Sequence, residues 1–139
     1  MSQDVKFRLE IVTPDRQFVS EGVEEITAPG AEGEFGVLLG HTPFLTELGV
    51  GELTYRVNNE NYYLAVRRGF AEVTGDKVTI LAEEADFPAE IDVTQAQQMR
   101  DEAQKELKEY SHESAEYANS VAKLERALNR IQVASRHTG

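Results

Sequence analysis

The amino-acid sequence predicts an α+β protein: a β-sandwich or flattened barrel over residues 1–86, then a two-helix hairpin over residues 87–139. Three observations carry this. Nine of the ten glycines and three of the four prolines precede residue 87, so the chain breakers stop where the strand patterns stop. Before that point, short segments alternate apolar and polar side chains with period two, as half-buried strands do. After it, apolar residues recur every three or four positions with no proline beyond Pro88, which is helical spacing.

The first strand is read at residues 5–11, where Val5, Phe7, Leu9 and Ile11 share one face and Lys6, Arg8 and Glu10 the other. Residues 53–57 and 77–81 repeat the pattern. Residues 23–28, 62–66 and 70–73 are shorter candidates. Turn signals divide them at Thr13-Pro14-Asp15, Pro29-Gly30, Asn58-Asn59, Arg68-Gly69 and Gly75-Asp76. Strands this short and this many close into a sandwich or barrel, because an open single sheet leaves one apolar face in water.

The first helix begins at a defined signal. Asp92 serves as the cap, Gln95 follows three residues later, and Ile91 precedes the cap opposite Ala96, the layout of a capping box with a weak hydrophobic staple. Ala96, Met99, Ala103, Leu107 and Tyr110 form its apolar stripe; Val121, Leu124, Leu128 and Ile131 form that of the second helix. Helices of roughly 18 and 22 residues are about 27–33 Å long. Both stripes are narrow and suit a close helix–helix seam. Between them, Ser111-His112-Glu113-Ser114 is polar and offers a serine cap. With neither glycine nor proline in the joint, hairpin and continuous helix are expected to differ little in energy.

Composition excludes several function classes. With 14 basic and 25 acidic residues the formal charge is −11, which repels a polyanion, so no nucleic-acid partner is expected. There is no cysteine, hence no disulfide, thiolate nucleophile or zinc–cysteine site. No apolar run approaches the ~20 residues that span a bilayer, and the first residues lack the basic start and apolar core of a secretory signal. No direct lipid insertion is expected. Neither a phosphate loop nor a dinucleotide fingerprint is present. Gly30, Gly33, Gly36 and Gly40 lie close together, but no lysine and no long helix follow, so they read as turn and bulge residues. His41, His112 and His137 are widely separated, and no metal site is expected. The doublets Glu24-Glu25 and Glu83-Glu84 point to opposite strand faces and read as solvated charge rather than paired catalytic carboxylates. No catalytic residue is expected.

One asymmetry stands out. Residues 90–113 carry 7 acidic and 3 basic side chains, a net of −4, whereas residues 114–139 carry 2 acidic and 4 basic, a net of +2. Either the two helices attract each other across the hairpin, or the basic final helix leaves its neighbour for an acidic partner, with Lys123, Arg126, Arg130 and Arg136 as its contact face. The two readings are compatible.

Residues 33–45 read G-E-F-G-V-L-L-G-H-T-P-F-L, which resembles the G-E-(L/F)-G…G-H-x-P block of the epsilon subunit of F-type ATP synthases. The resemblance is collinear along the chain. Ile11-Val12-Thr13-Pro14-Asp15 is similar to the family's first strand and turn. Gly69-Phe70-Ala71-Glu72-Val73 and Val78-Thr79-Ile80-Leu81-Ala82 resemble its G-G-x-x-E-V…V-T-(I/V)-L-A segment, with Arg68 in place of the first glycine. The resemblance implies a ten-stranded β-sandwich followed by a two-helix domain, at the base of the central stalk. There it implies binding to the gamma subunit and the c-subunit ring, with Glu32, Gly33 and Glu34 facing the ring and His41 near the rotor interface. It also implies regulation. The helices either fold as a hairpin or extend along gamma towards the catalytic beta and alpha subunits, restraining ATP hydrolysis. The implied location is peripheral, on the cytoplasmic face of the bacterial inner membrane. Some members bind ATP on the hairpin through I-D-x-x-R-A, a preceding acidic residue and two arginines on the last helix. Asp86, Asp92, Arg126 and Arg130 match that pattern, but Gln95 stands where the arginine belongs. A neutral amide cannot chelate phosphates as a guanidinium does, so ATP binding is expected to be weak or absent and no cofactor is implied. The competing reading is a free-standing β-sandwich binding module whose helical tail dimerises.

Overall fold

The computed structural model describes residues 6–137, and Val5, the first residue of the expected opening strand, lies outside them. Seven strands form one sheet: β1 (Phe7–Val12), β2 (Gln17–Val23), β3 (Glu25–Gly30), β4 (Gly33–Val37), β5 (Phe44–Val57), β6 (Glu60–Val73) and β7 (Lys77–Asp86). Their order is β2-β1-β7-β6-β5-β3-β4. The β1–β7 pair is parallel, while β1–β2, β3–β4, β3–β5 and β5–β6 are antiparallel. Such a sheet becomes a sandwich by folding over on itself, and β2 accordingly also approaches β5.

The bend is built into two long strands. β5 and β6 each have 14 residues and stay in one register from Phe44↔Val73 to Val57↔Glu60. At about 3.3 Å per residue each would span roughly 45 Å if straight, too long for one layer of so small a domain. β6 turns at Arg68 (φ 56°) and Gly69 (φ 124°). A side chain in the left-handed region costs about 1–2 kcal/mol, and Arg68 bears that cost where the family pattern has glycine. The pairing persists through the kink, so the expected strands at 62–66 and 70–73 are one strand. The resemblance implies ten strands and seven are present among the described residues; the continuity of β6 accounts for one of the three. A further difference lies at residues 23–28, which break at Glu24 between β2 and β3.

The alternation forecast the core. Phe7, Leu9 and Ile11 are buried, as are Leu53 and Tyr55 on β5 and Val78 and Ile80 on β7. Val23, Ile26, Leu64, Val66 and Val73 are also fully enclosed. The Asn58-Asn59 turn closes the β5–β6 hairpin with both residues at positive φ, 53° and 68°, as a two-residue turn between twisted strands requires. Glu24 anchors it, accepting hydrogen bonds from the backbone amides of Asn58 (3.2 Å) and Asn59 (3.4 Å) and from Arg56 Nε (3.2 Å). Burial alone would raise the Glu24 pKa, but these bonds outweigh it and hold the carboxyl below its ordinary value.

The chain divides between Ala85 and Asp86 into two compact units. The second contains a 3₁₀ turn at Pro88–Glu90 and the helices α1 (Val93–Glu109) and α2 (Ala115–His137), which pack together. Asp92 caps α1, its Oδ1 accepting from the Gln95 amide at 3.0 Å. The reciprocal half of the expected capping box is not made, because the Gln95 side chain turns to α2 instead. α1 ends at Tyr110, whose backbone is extended. Ser114 then starts α2, its Oγ accepting from the Tyr117 amide at 3.1 Å and donating to the Ser111 carbonyl at 2.7 Å. The hairpin joint is thus a turn held by short-range serine bonds.

Candidate functional site

The second unit carries a polar seam between α1 and α2. Along α1 towards its C-terminus, the partner residues recede towards the start of α2, so the helices are antiparallel. Near the joint, Glu106 accepts from Ser120 Oγ (2.9 Å) and Lys123 Nζ (3.2 Å), and Lys123 also lies 3.7 Å from Glu102. The bonds from Ser120 and Lys123 pull the Glu106 pKa below its ordinary value. One turn further, Arg126 Nη1 donates to Met99 Sδ at 3.4 Å. Arg130 follows, its Nη1 3.5 Å from Gln95 Oε1 and its Nε 3.5 Å from Asp86 Oδ2. Of the residues singled out by sequence, Asp86, Gln95 and Arg130 are therefore brought together. Asp92 uses an oxygen to cap α1. Lys123 and Arg126 also turn towards α1, whereas Arg136 is exposed near the end of α2.

The packed side of α2 is not the expected one. Ser120, Ala127, Arg130, Val133 and Ala134 are buried, while Val121 is 37% and Leu128 45% exposed, with Leu124 and Ile131 half-buried. On α1 the buried positions are Ala96 and Ala103. Small residues let the two backbones approach closely, and Val121 and Leu128 of α2 are left on the outside. In the hairpin, then, α2 keeps much of its basic charge in the seam and shows water an aliphatic stripe.

The β unit offers a second surface. Glu32, Gly33 and Glu34 are exposed around the β3–β4 turn, with Gly33 at φ 133°. His41 lies past the other end of β4, so the strand separates it from that turn. Its Nδ1 is 2.7 Å from the Thr42 carbonyl, and its ring meets Phe44 at 5.1 Å; Phe44 in turn meets Phe35 edge-on at 5.4 Å. Beside His41, an open recess of about 350 Å³ is lined by Glu25 and the chain from Gly36 to His41. Leu38 (56% exposed) and Leu39 add apolar surface to this recess, and Leu45, next to Phe44 in sequence, is 68% exposed. Sequence reasoning missed these leucines. The signal at Leu45 was its alternation: it shares the exposed face with Glu47 and pairs with Glu72. Among the described residues no group of His, Asp and Glu is arranged to hold a metal ion, and no helix is long and apolar enough to cross a membrane.

Comparison with known proteins accounts for both units. Residues 6–88 match the family described as ATP synthase, Delta/Epsilon chain, beta-sandwich domain, and residues 89–135 match its long alpha-helix domain. The chain belongs to the ATP synthase delta/epsilon family. It is 49% identical to ATP synthase epsilon chain 2 of Syntrophotalea carbinolica, over 94% of this chain and 95% of that one. It is 48% identical to the ATP synthase epsilon chain of Geobacter metallireducens, over 96% of both. Its structure is similar to a chain of the Euglena gracilis mitochondrial ATP synthase OSCP/F1/c-ring assembly, with TM-score 0.74 and 26% identity over 96% of this chain and 82% of that one. A chain of the Tetrahymena thermophila ATP synthase central stalk and c ring shares the fold at TM-score 0.60 and 15% identity, over 95% and 96%. As an epsilon-type member the chain is a non-catalytic rotor subunit of the central stalk. The boundary between the family's two parts falls within three residues of that between the two compact units, and α1 and α2, with the aliphatic stripe, fall in its long-helix part.

Proposed function

We propose that the β unit joins the gamma subunit and the c ring and so couples ion flow to ATP synthesis. In the same reading the helical unit restrains ATP hydrolysis by releasing α2 from the hairpin towards the beta and alpha subunits. The observation that carries this is the outward aliphatic stripe of α2 on a helix whose charge is basic. A helix that shows water Val121 and Leu128 while holding Lys123, Arg126 and Arg130 towards α1 has more surface to bury elsewhere. The exposed leucines around His41 and the acidic Glu32–Glu34 turn supply the β unit's contacts with the rotor. The protein then works as a peripheral subunit on the cytoplasmic face of the bacterial inner membrane.

The test compares the full chain with one truncated after Asp86, each added to an epsilon-depleted alpha–beta–gamma complex. Both are expected to bind, and only the full chain to slow ATP hydrolysis. Equal hydrolysis with both would assign coupling alone to this subunit. Failure of both to bind would favour the free-standing binding module.

Nucleotide binding on the hairpin is proposed to be weak or absent. Gln95 brings a neutral amide to Arg130 where ATP-binding relatives bring a second guanidinium. Calorimetry on the isolated chain is expected to give a Kd for ATP above ~0.1 mM, equivalent to about 5.5 kcal/mol. A tighter site would overturn this.

A further inference from the structure

Arg130 is the one charged side chain among the described residues that is buried, at 7% exposure. Its guanidinium ties three separate pieces of the second unit together: α2 itself, the first turn of α1 through Gln95, and the segment before the 3₁₀ turn through Asp86. The tie is charged but imperfectly bonded. Arg130 Nε is enclosed without a hydrogen-bond partner among the described residues, and the Asp86 oxygen sits 3.5 Å from it, near the limit of a useful bond. A guanidinium taken out of water regains its full hydration when its helix departs, so this pair adds little net stability to the hairpin. Its loss has a different consequence. Without the Asp86 carboxylate, the hairpin would enclose an uncompensated cation, which is strongly destabilising.

We propose that the Asp86–Arg130 pair is a charge-compensated latch: the Asp86 carboxylate lets the hairpin enclose the Arg130 cation at little net gain, which leaves α2 poised for release. This deepens the regulatory reading above and rests on it only in one respect, namely that release of α2 restrains hydrolysis. The latch itself is a property of the isolated chain.

Hydrogen exchange on the full chain tests it, with sandwich amides as the internal control. Asp86→Asn is expected to accelerate exchange of the α1 and α2 amides by about a hundredfold, the usual scale for an orphaned buried charge, with the β1–β6 amides unchanged. Arg130→Met removes the charge and retains apolar bulk, so its helices should exchange no faster than in the parent chain. In that background Asp86→Asn should add less than about threefold. Native-like exchange in Asp86→Asn overturns the latch. So does a hundredfold acceleration that persists with Arg130→Met present. Should Asp86→Asn alone fail to fold, the comparison of Arg130→Met with the double variant decides by the same criterion. In the alpha–beta–gamma complex, Asp86→Asn is expected to deepen the restraint of hydrolysis. Accelerated exchange with unchanged hydrolysis would uphold the latch and count against the release of α2 as the brake.

Discussion

A Gly69→Ala variant is expected to lose the folded β-sandwich near ordinary growth temperatures. Two effects act on the same atom. Gly69 has φ 124°, a conformation that side chains rarely adopt. A Cβ placed there would collide with the Leu81 carbonyl oxygen and lie 2.9 Å from its carbonyl carbon, and both belong to the backbone of a neighbouring strand. Neither β6 nor β7 can yield without disturbing the bend that makes two layers from one sheet. Strain and collision together cost on the order of 4 kcal/mol, a large part of the stability of a small domain. The midpoint should fall by roughly 20 °C in a thermal melt followed by β-sheet circular dichroism. Gly75→Ala is the control: φ there is ordinary and nothing lies within 4 Å, so the change should stay within about 0.5 kcal/mol. Equal melting of the two variants would show that the kink at Arg68 and Gly69 is not what closes the sandwich.

Replacing Val121 and Leu128 together with glutamine is expected to weaken the restraint of ATP hydrolysis without loosening the hairpin. Both side chains are 37–45% exposed, so the surface they still have to bury on a partner is worth roughly 1 kcal/mol each. The pair then shifts the balance between hairpin and released helix by about thirtyfold towards the hairpin. Such a shift is a sizeable part of the ~5.5 kcal/mol that takes a two-state switch from one end to the other. Glutamine keeps the charge of α2, so the change isolates the apolar contribution from the basic one. The measurement is steady-state ATP hydrolysis by the complex, beside a melt of the isolated chain. Unchanged restraint would move the contact to the basic side chains. A large fall in hairpin stability would show that these positions pack against more than water in the isolated chain.

What the sequence by itself determined was short-range. The alternation at Phe7, Leu9 and Ile11 placed a strand and its buried face, because a strand's side chains have a period of two whatever surrounds it. Asp92 and Ser114 marked the starts of α1 and α2, because a cap bonds to amides only three residues away. Asn58 and Asn59 marked a hairpin turn by their tolerance of positive φ. The collinear G-E-F-G…G-H-T-P block pointed to the family that the comparisons bear out. Three other features depended on what each residue met in space. Arg68 and Gly69 form a kink inside β6 rather than a turn, because pairing with β5 continues through them. On α2, the seam took Ser120 and Ala127 and left Leu128 outside, since close approach to Ala96 and Ala103 favours small side chains. Asp86 and Arg130 meet across more than forty residues of sequence, and no local pattern encodes that meeting. Local rules act over about one turn of chain, whereas the choice of face, kink and partner is made only when the elements pack.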